Sequence, residues 1–160
     1  MSTMIHGTII SRNVNNLFYS KQFNFDVVKM CAEEKFGFLF KMDPNNLLLP
    51  FIVSENFVFS NCDEFMDFDN YIDIAEMESA IEKLKNDISK IKRVFDYILS
   101  YDDVDYIVFC MSFGEVGSVE EYTKHTVYID DFEDVLLNEY LRESHIPSVM
   151  LTIYQKSQNH

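Results

Sequence analysis

Residues Met77–Phe113 read MESAIEKLKNDISKIKRVFDYILSYDDVDYIVFCMSF, and two periods meet in them. In the first part Met77, Ile81, Leu84, Ile88, Ile91, Phe95 and Ile98 recur at alternating steps of four and three, which lines them along one side of a helix. The residues between them are polar. Glu76, Glu78 and Glu82 come early and Lys90, Lys92 and Arg93 late, in the sense that suits the helix dipole. Asp87 can meet Lys83 or Lys90 one turn away, whereas Glu78 and Glu82 form a like-charge pair. The spacing predicts a helix from near Asp73 to near Ser100. In the second part, Val104–Phe113 is an apolar run of strand length, which predicts a central strand covered on both faces. An amphipathic helix feeding such a strand has a sheet to pack on. The alternative use of the stripe is a coiled-coil seam between two copies.

The rest of the chain extends this pattern in both directions. Upstream, Thr3–Ser11 is β-branched and reads as a strand, and Arg12–Asn24 as a polar loop. Phe25–Lys35 suits a short helix and Phe36–Lys41 a strand. After the turn cluster Asp43-Pro44-Asn45-Asn46 come two strands, Leu47–Ser54 and Asn56–Ser60. Pro50 lacks a ladder donor, so its strand is expected at an edge or at a bulge. Downstream, Gly114–Tyr122 reads as a loop and Thr123–Ile129 as a strand. Asp131 can cap a helix running to about Glu143, broken by His145-Ile146-Pro147. Ser148–Lys156 alternates as a final strand. The expected fold is α+β in one globular domain, 1–160: a mixed, largely antiparallel sheet flanked by the long helix and two shorter ones.

Composition narrows the function. The 160 residues carry a formal charge of -14. No Lys or Arg lies between Lys41 and Lys83, or between Arg93 and Lys124. Such a field repels nucleic acid and anionic lipid and attracts a basic partner. The apolar, Phe- and Tyr-rich composition argues against a disordered acidic tail. The N-terminal MSTMIHGTII lacks the basic start and long apolar run of a signal peptide, and no apolar stretch is long enough to span a bilayer. Cys31, Cys62 and Cys110 are isolated and form no CxxC, as expected of buried thiols in a reducing compartment. A cytoplasmic protein is expected.

Motifs for catalysis or cofactors do not emerge. His6, His125, His145 and His160 stand at no metal-ligand spacing. There is no GxSxG or GxGxxG, and the turn around Gly114 and Gly117 lacks the Lys-Ser/Thr of a phosphate loop. Asp67, Asp69 and Glu78 match positions one, three and twelve of a calcium loop, but Tyr71 and Ile72 occupy positions five and six, where an oxygen ligand and a glycine are required. No metal, cofactor or enzymatic activity is expected. An enzyme reading would have to assemble its site from scattered residues, for instance His125 and Cys110.

What remains is acidic surface with aromatics among the carboxylates. The candidate partner-binding residues are Asp63, Glu64, Asp67 and Asp69 in the acidic connector, Tyr101, Asp102, Asp103 and Asp105 before the apolar strand, and Glu115, Glu120, Glu121 and Tyr122 after it. Carboxylates steer a basic partner and tyrosines supply contact energy. In this general character, carried by the runs Asp63–Asp73 and Asp102–Asp105, the chain resembles bacterial immunity proteins of contact-dependent and polymorphic toxin systems. The resemblance implies a cytoplasmic inhibitor that blocks the active site of a cognate toxin, such as a nuclease. The alternative reading is a scaffold or regulatory module that forms a homodimer through the Met77–Ile98 stripe.

Overall fold

The helical stripe and the apolar run pack against each other. The computed structural model describes residues 3–11, 26–27, 29–30, 33, 38–40, 48–53, 74–113, 122–142 and 148–155. In chain order these form β1 (Thr3–Ser11), β2 (Phe38–Phe40), β3 (Leu48–Val53), α1 (Ile74–Leu99), β4 (Val104–Phe113), β5 (Thr123–Tyr128), a 3-10 turn (Ile129–Asp131), α2 (Phe132–Arg142) and β6 (Val149–Tyr154). The strands make one sheet in the order β2-β3-β1-β4-β6-β5. All neighbours pair antiparallel except β5 and β6, which are parallel and joined through α2. This is the α+β class with a mixed sheet.

The strands alternate because one face of the sheet is covered by the helices. Ile5, Gly7, Ile9 and Ser11 of β1, Ile107, Phe109 and Met111 of β4, and Val149, Leu151 and Ile153 of β6 are buried on that inner face. The outer face carries half-exposed residues: His6, Thr8 and Ile10, Tyr106 and Val108, Met150, Thr152 and Tyr154. Toward its far end β4 also buries Cys110 and Ser112, which are outward-facing, so this half of the strand does not alternate between buried and exposed. Against the inner face lie Leu84, Ile88, Ile91, Val94, Phe95, Ile98 and Leu99 of α1, all essentially inaccessible. From Leu84 onward the stripe packs on the sheet. Phe51, Phe95, Phe109 and Phe132 form the centre of the core, with Phe95 edge-on to the other three rings at centroid distances of 6.0, 5.8 and 5.6 Å.

Gly7 makes room for this packing. It lies opposite Phe51 on one side and Phe109 on the other. A Cβ there would collide with the carbonyl oxygen of Val108 and stand 2.7 Å from the Phe51 ring.

Two expectations need correction. The Pro50 strand is not at the edge of the sheet, and its pairing with β1 runs without a bulge. Among the described residues, β2 pairs with Phe51, Ile52 and Val53 of this strand. The last turn of α1 holds no basic residue, since Lys92 and Arg93 sit further back. Asp131 stands directly ahead of α2, as the last residue of the 3-10 turn that leads into it.

Of the short helix expected over 25–35, the described residues Asp26, Val27, Lys29, Met30 and Glu33 are helical, with Val27 buried and Met30 packed on the core. The strand expected at 56–60 and the helix break at 145–147 lie outside the described residues.

Candidate interaction surface

Strand directions decide where the carboxylates meet. β4 begins at Val104, and its Tyr106 lies beside Tyr154 near the end of β6, with rings 5.2 Å apart. Tyr154 in turn registers with Tyr128, the last residue of β5. The start of β4 and the ends of β5 and β6 therefore share one end of the sheet. Asp102, Asp103 and Asp105 stand there, and so do Asp130 and Asp131, which follow β5 directly. With one strand between them, the two groups are about 10 Å apart. Asp102, Asp130 and Asp131 are exposed, and Asp103 and Asp105 half-exposed.

A bulge shapes this rim. Regular pairing would set Ser11 opposite Asp105 on the buried face, but the register slips and Ser11 pairs with Val104. An apolar residue takes the inner position and Asp105 escapes burial, which would be costly for a carboxylate. The Ser11 hydroxyl then donates to the Asp103 carbonyl at 2.9 Å, fastening the turn to the sheet.

The helices bring more acid to the same end. α1 finishes where α2 begins, so the two run antiparallel. Glu133 and Asp134 lie in the first turn of α2, where negative charge is favoured by the helix dipole. Lys92 is paired with Asp96 at 2.9 Å, and Glu133 and Asp130 add to the negative field around it. The Asp96 hydrogen bond is the main cause holding the Lys92 ammonium above its ordinary pKa. Between the helices runs a groove of about 270 Å³ lined by Glu82, Lys85, Ser89, Glu133, Asp134 and Leu137 among others.

The tyrosines divide by role. Tyr106, Tyr154 and Tyr128 form a row across the outer face beneath the rim, with Tyr128 46% exposed. Tyr101 instead belongs to the body of the protein. Its ring meets Tyr97 edge-on at 5.6 Å and their hydroxyls share a hydrogen bond, while the Tyr97 hydroxyl donates to Asp26 at 2.9 Å. Burial, then these two hydrogen bonds, push the Tyr97 phenol well above its usual pKa. Tyr122 precedes β5 and stands at the opposite end of the sheet from Asp102. The candidates Asp63, Glu64, Asp67, Asp69, Glu115, Glu120 and Glu121 lie outside the described residues.

Asp130, Asp131, Tyr128 and Tyr154 were absent from the sequence candidates. The signal that could have found them is parallel pairing: a strand–helix–strand segment whose strands pair side by side puts the residues after the first strand beside the end of the second.

His125 and Cys110 are kept apart. Cys110 registers with His6 and Met150, whereas His125 registers with Leu151, whose side chain is on the inner face. Nε2 of His125 donates to Oε1 of the buried Glu139 at 2.8 Å, tying β5 to α2. Burial lowers the His6 pKa and raises that of the Cys110 thiol, the opposite of what a thiolate–imidazolium pair requires. Among the described residues no group of three or more His, Cys, Asp or Glu is placed to hold a metal ion, and no helix is long and apolar enough to cross a membrane.

Comparisons with protein families, with curated proteins and with solved structures find no match.

Proposed function

We propose that this chain is an acidic binding protein that neutralises a basic partner. By its resemblance in character to immunity proteins, that partner is a toxin, such as a nuclease, whose active site is occluded in the cytoplasm. The observation that carries this reading is the convergence of Asp102, Asp103, Asp105, Asp130 and Asp131 on one sheet end. Magnitudes favour attraction of a partner over self-repulsion. Two carboxylates about 10 Å apart in water repel by roughly 0.4 kcal/mol before screening, whereas a cation arriving at about 4 Å gains roughly 1 kcal/mol from each carboxylate it meets. Holding the rim together therefore costs little, and an arriving Lys- or Arg-lined groove meets several charges at once. The tyrosine row supplies rigid, amphipathic contact area below them.

The test uses the Asn quintuple variant at 102, 103, 105, 130 and 131. A basic protein recovered from source-cell lysate at low salt is purified, and its association rate is measured with both forms. The variant should bind about tenfold to a thousandfold more slowly at low salt, with a flatter dependence on ionic strength. Equal rates at every salt concentration would remove this end of the sheet as the docking surface.

A further inference from the structure

β5 is an edge strand with an ordered pattern of open hydrogen-bonding groups. The Thr123 N–H donates to the Ser148 carbonyl at 2.9 Å, so Thr123 faces β6. Backbone groups alternate along a strand, so His125 and Val127 face β6 as well. The N–H and C=O of Lys124, Thr126 and Tyr128 point away from the sheet, and no described residue pairs with them. The side chains of the same three residues are exposed. The strand has no Pro, no glycine and no register slip, so among the described residues little shields this edge beyond Lys124 itself.

We propose that this edge pairs with the same edge of a second copy, antiparallel, about a two-fold axis at Thr126. Self-complementarity fixes the register. Centring on Thr126 is the arrangement that joins all three outward residues of each copy: Lys124 with Tyr128 of the second copy, Thr126 with Thr126, Tyr128 with Lys124. The side-chain pairs that result are favourable ones. Thr faces Thr, and Lys124 lies against a tyrosine ring.

Charge selects the antiparallel sense. Parallel pairing would set two Asp130-Asp131 pairs about 5 Å apart. Antiparallel pairing sends the two acidic rims to opposite ends of a continuous sheet, separated by about 20 Å of strand, well beyond the screening length of roughly 8 Å at physiological salt. A shallow depression of about 360 Å³ along this edge, lined by Thr126, Val127, Tyr128 and Tyr154, faces the arriving Lys124 stem. Each dimer then presents two independent rims.

Sedimentation equilibrium of the full chain over a wide concentration range tests this. Thr126→Pro deletes an outward N–H and no bond to β6, so the fold should survive. It removes the central donor from both copies, and the dimer dissociation constant should rise about thirtyfold or more. Lys124→Glu, an exposed change, should weaken the dimer several-fold. Amide hydrogen exchange gives a second readout: Lys124, Thr126 and Tyr128 should gain protection as concentration rises, while His125 and Val127 stay protected throughout. A chain monomeric at all concentrations, a dimer indifferent to both substitutions, or outward amides that exchange freely in the dimer would each overturn the proposal. None of these outcomes bears on the rim, which is read by partner association alone.

Discussion

Phe95 is the residue on which the two layers depend, and Phe95→Ala should show it. The ring is fully buried and meets Phe51 of β3, Phe109 of β4 and Phe132 of α2 edge-on. These contacts join the long helix to two strands and to the helix that starts just after Asp130 and Asp131. Truncating a fully buried Phe costs about 3–5 kcal/mol, from lost transfer energy plus the cavity left behind. The edge-to-face contacts, worth about 0.5–1.5 kcal/mol each, place this site toward the upper end. For a domain of this size each kcal/mol moves the melting temperature by about 2–4 °C, so a loss near 4 kcal/mol lowers Tm by about 8–16 °C. Urea unfolding followed by circular dichroism should give a lower midpoint at unchanged slope. Phe95→Leu keeps most of the apolar mass and should lose about half as much. A loss below about 1 kcal/mol for the alanine variant would mean that Phe95 does not bridge the layers.

Gly7→Ala introduces a Cβ against the Val108 carbonyl and the Phe51 ring, and should destabilise by about 2 kcal/mol or more; a neutral effect in urea melts would contradict the close approach of β1, β3 and β4. Burial lowers the His6 pKa below its ordinary 6.5, so the unfolded chain binds the proton more readily than the folded one. Stability must then decline as pH falls through about 6.5, by at most about 1.4 kcal/mol per pH unit from this group, and level off below the folded-state value. His6→Gln should remove that component, and matching pH profiles for the two proteins would show that His6 is not desolvated. Cys110 is buried with its thiol pKa raised, so it should react with a thiol reagent only slowly in the folded protein and readily in denaturant; equal rates would place it at the surface.

The local elements were legible because their signals are local. β1 and β4 occupy the ranges read from the sequence, and α1 lies within a residue of its expected limits, since a run of β-branched and apolar residues or a four-three stripe needs no knowledge of the partner it packs on. Pairing order was not legible. Nothing near Pro50 reveals that its strand lies between two others, and nothing near Asp105 reveals that Ser11, 92 residues earlier than the Asp103 carbonyl it binds, will slip the register. The rim was half legible for the same reason. Asp102, Asp103 and Asp105 stand out as a charge cluster before an apolar strand. Asp130 and Asp131 look like helix-start residues until the parallel pairing of β5 and β6 carries them to the same end.

β1 precedes every other strand of the sheet in sequence, yet it sits between β3 and β4 in the middle of it. Its apolar residues leave the ribosome before those of its neighbours, and one neighbouring strand, Val104–Phe113, follows more than 90 residues later. At about 5–20 residues per second, that interval leaves Ile5 and Ile9 without their inner-face cover for several seconds or more. Such non-local closure also slows folding once synthesis is complete. A concentration of negative charge that keeps nascent chains apart would serve the protein during that wait, before any partner is met.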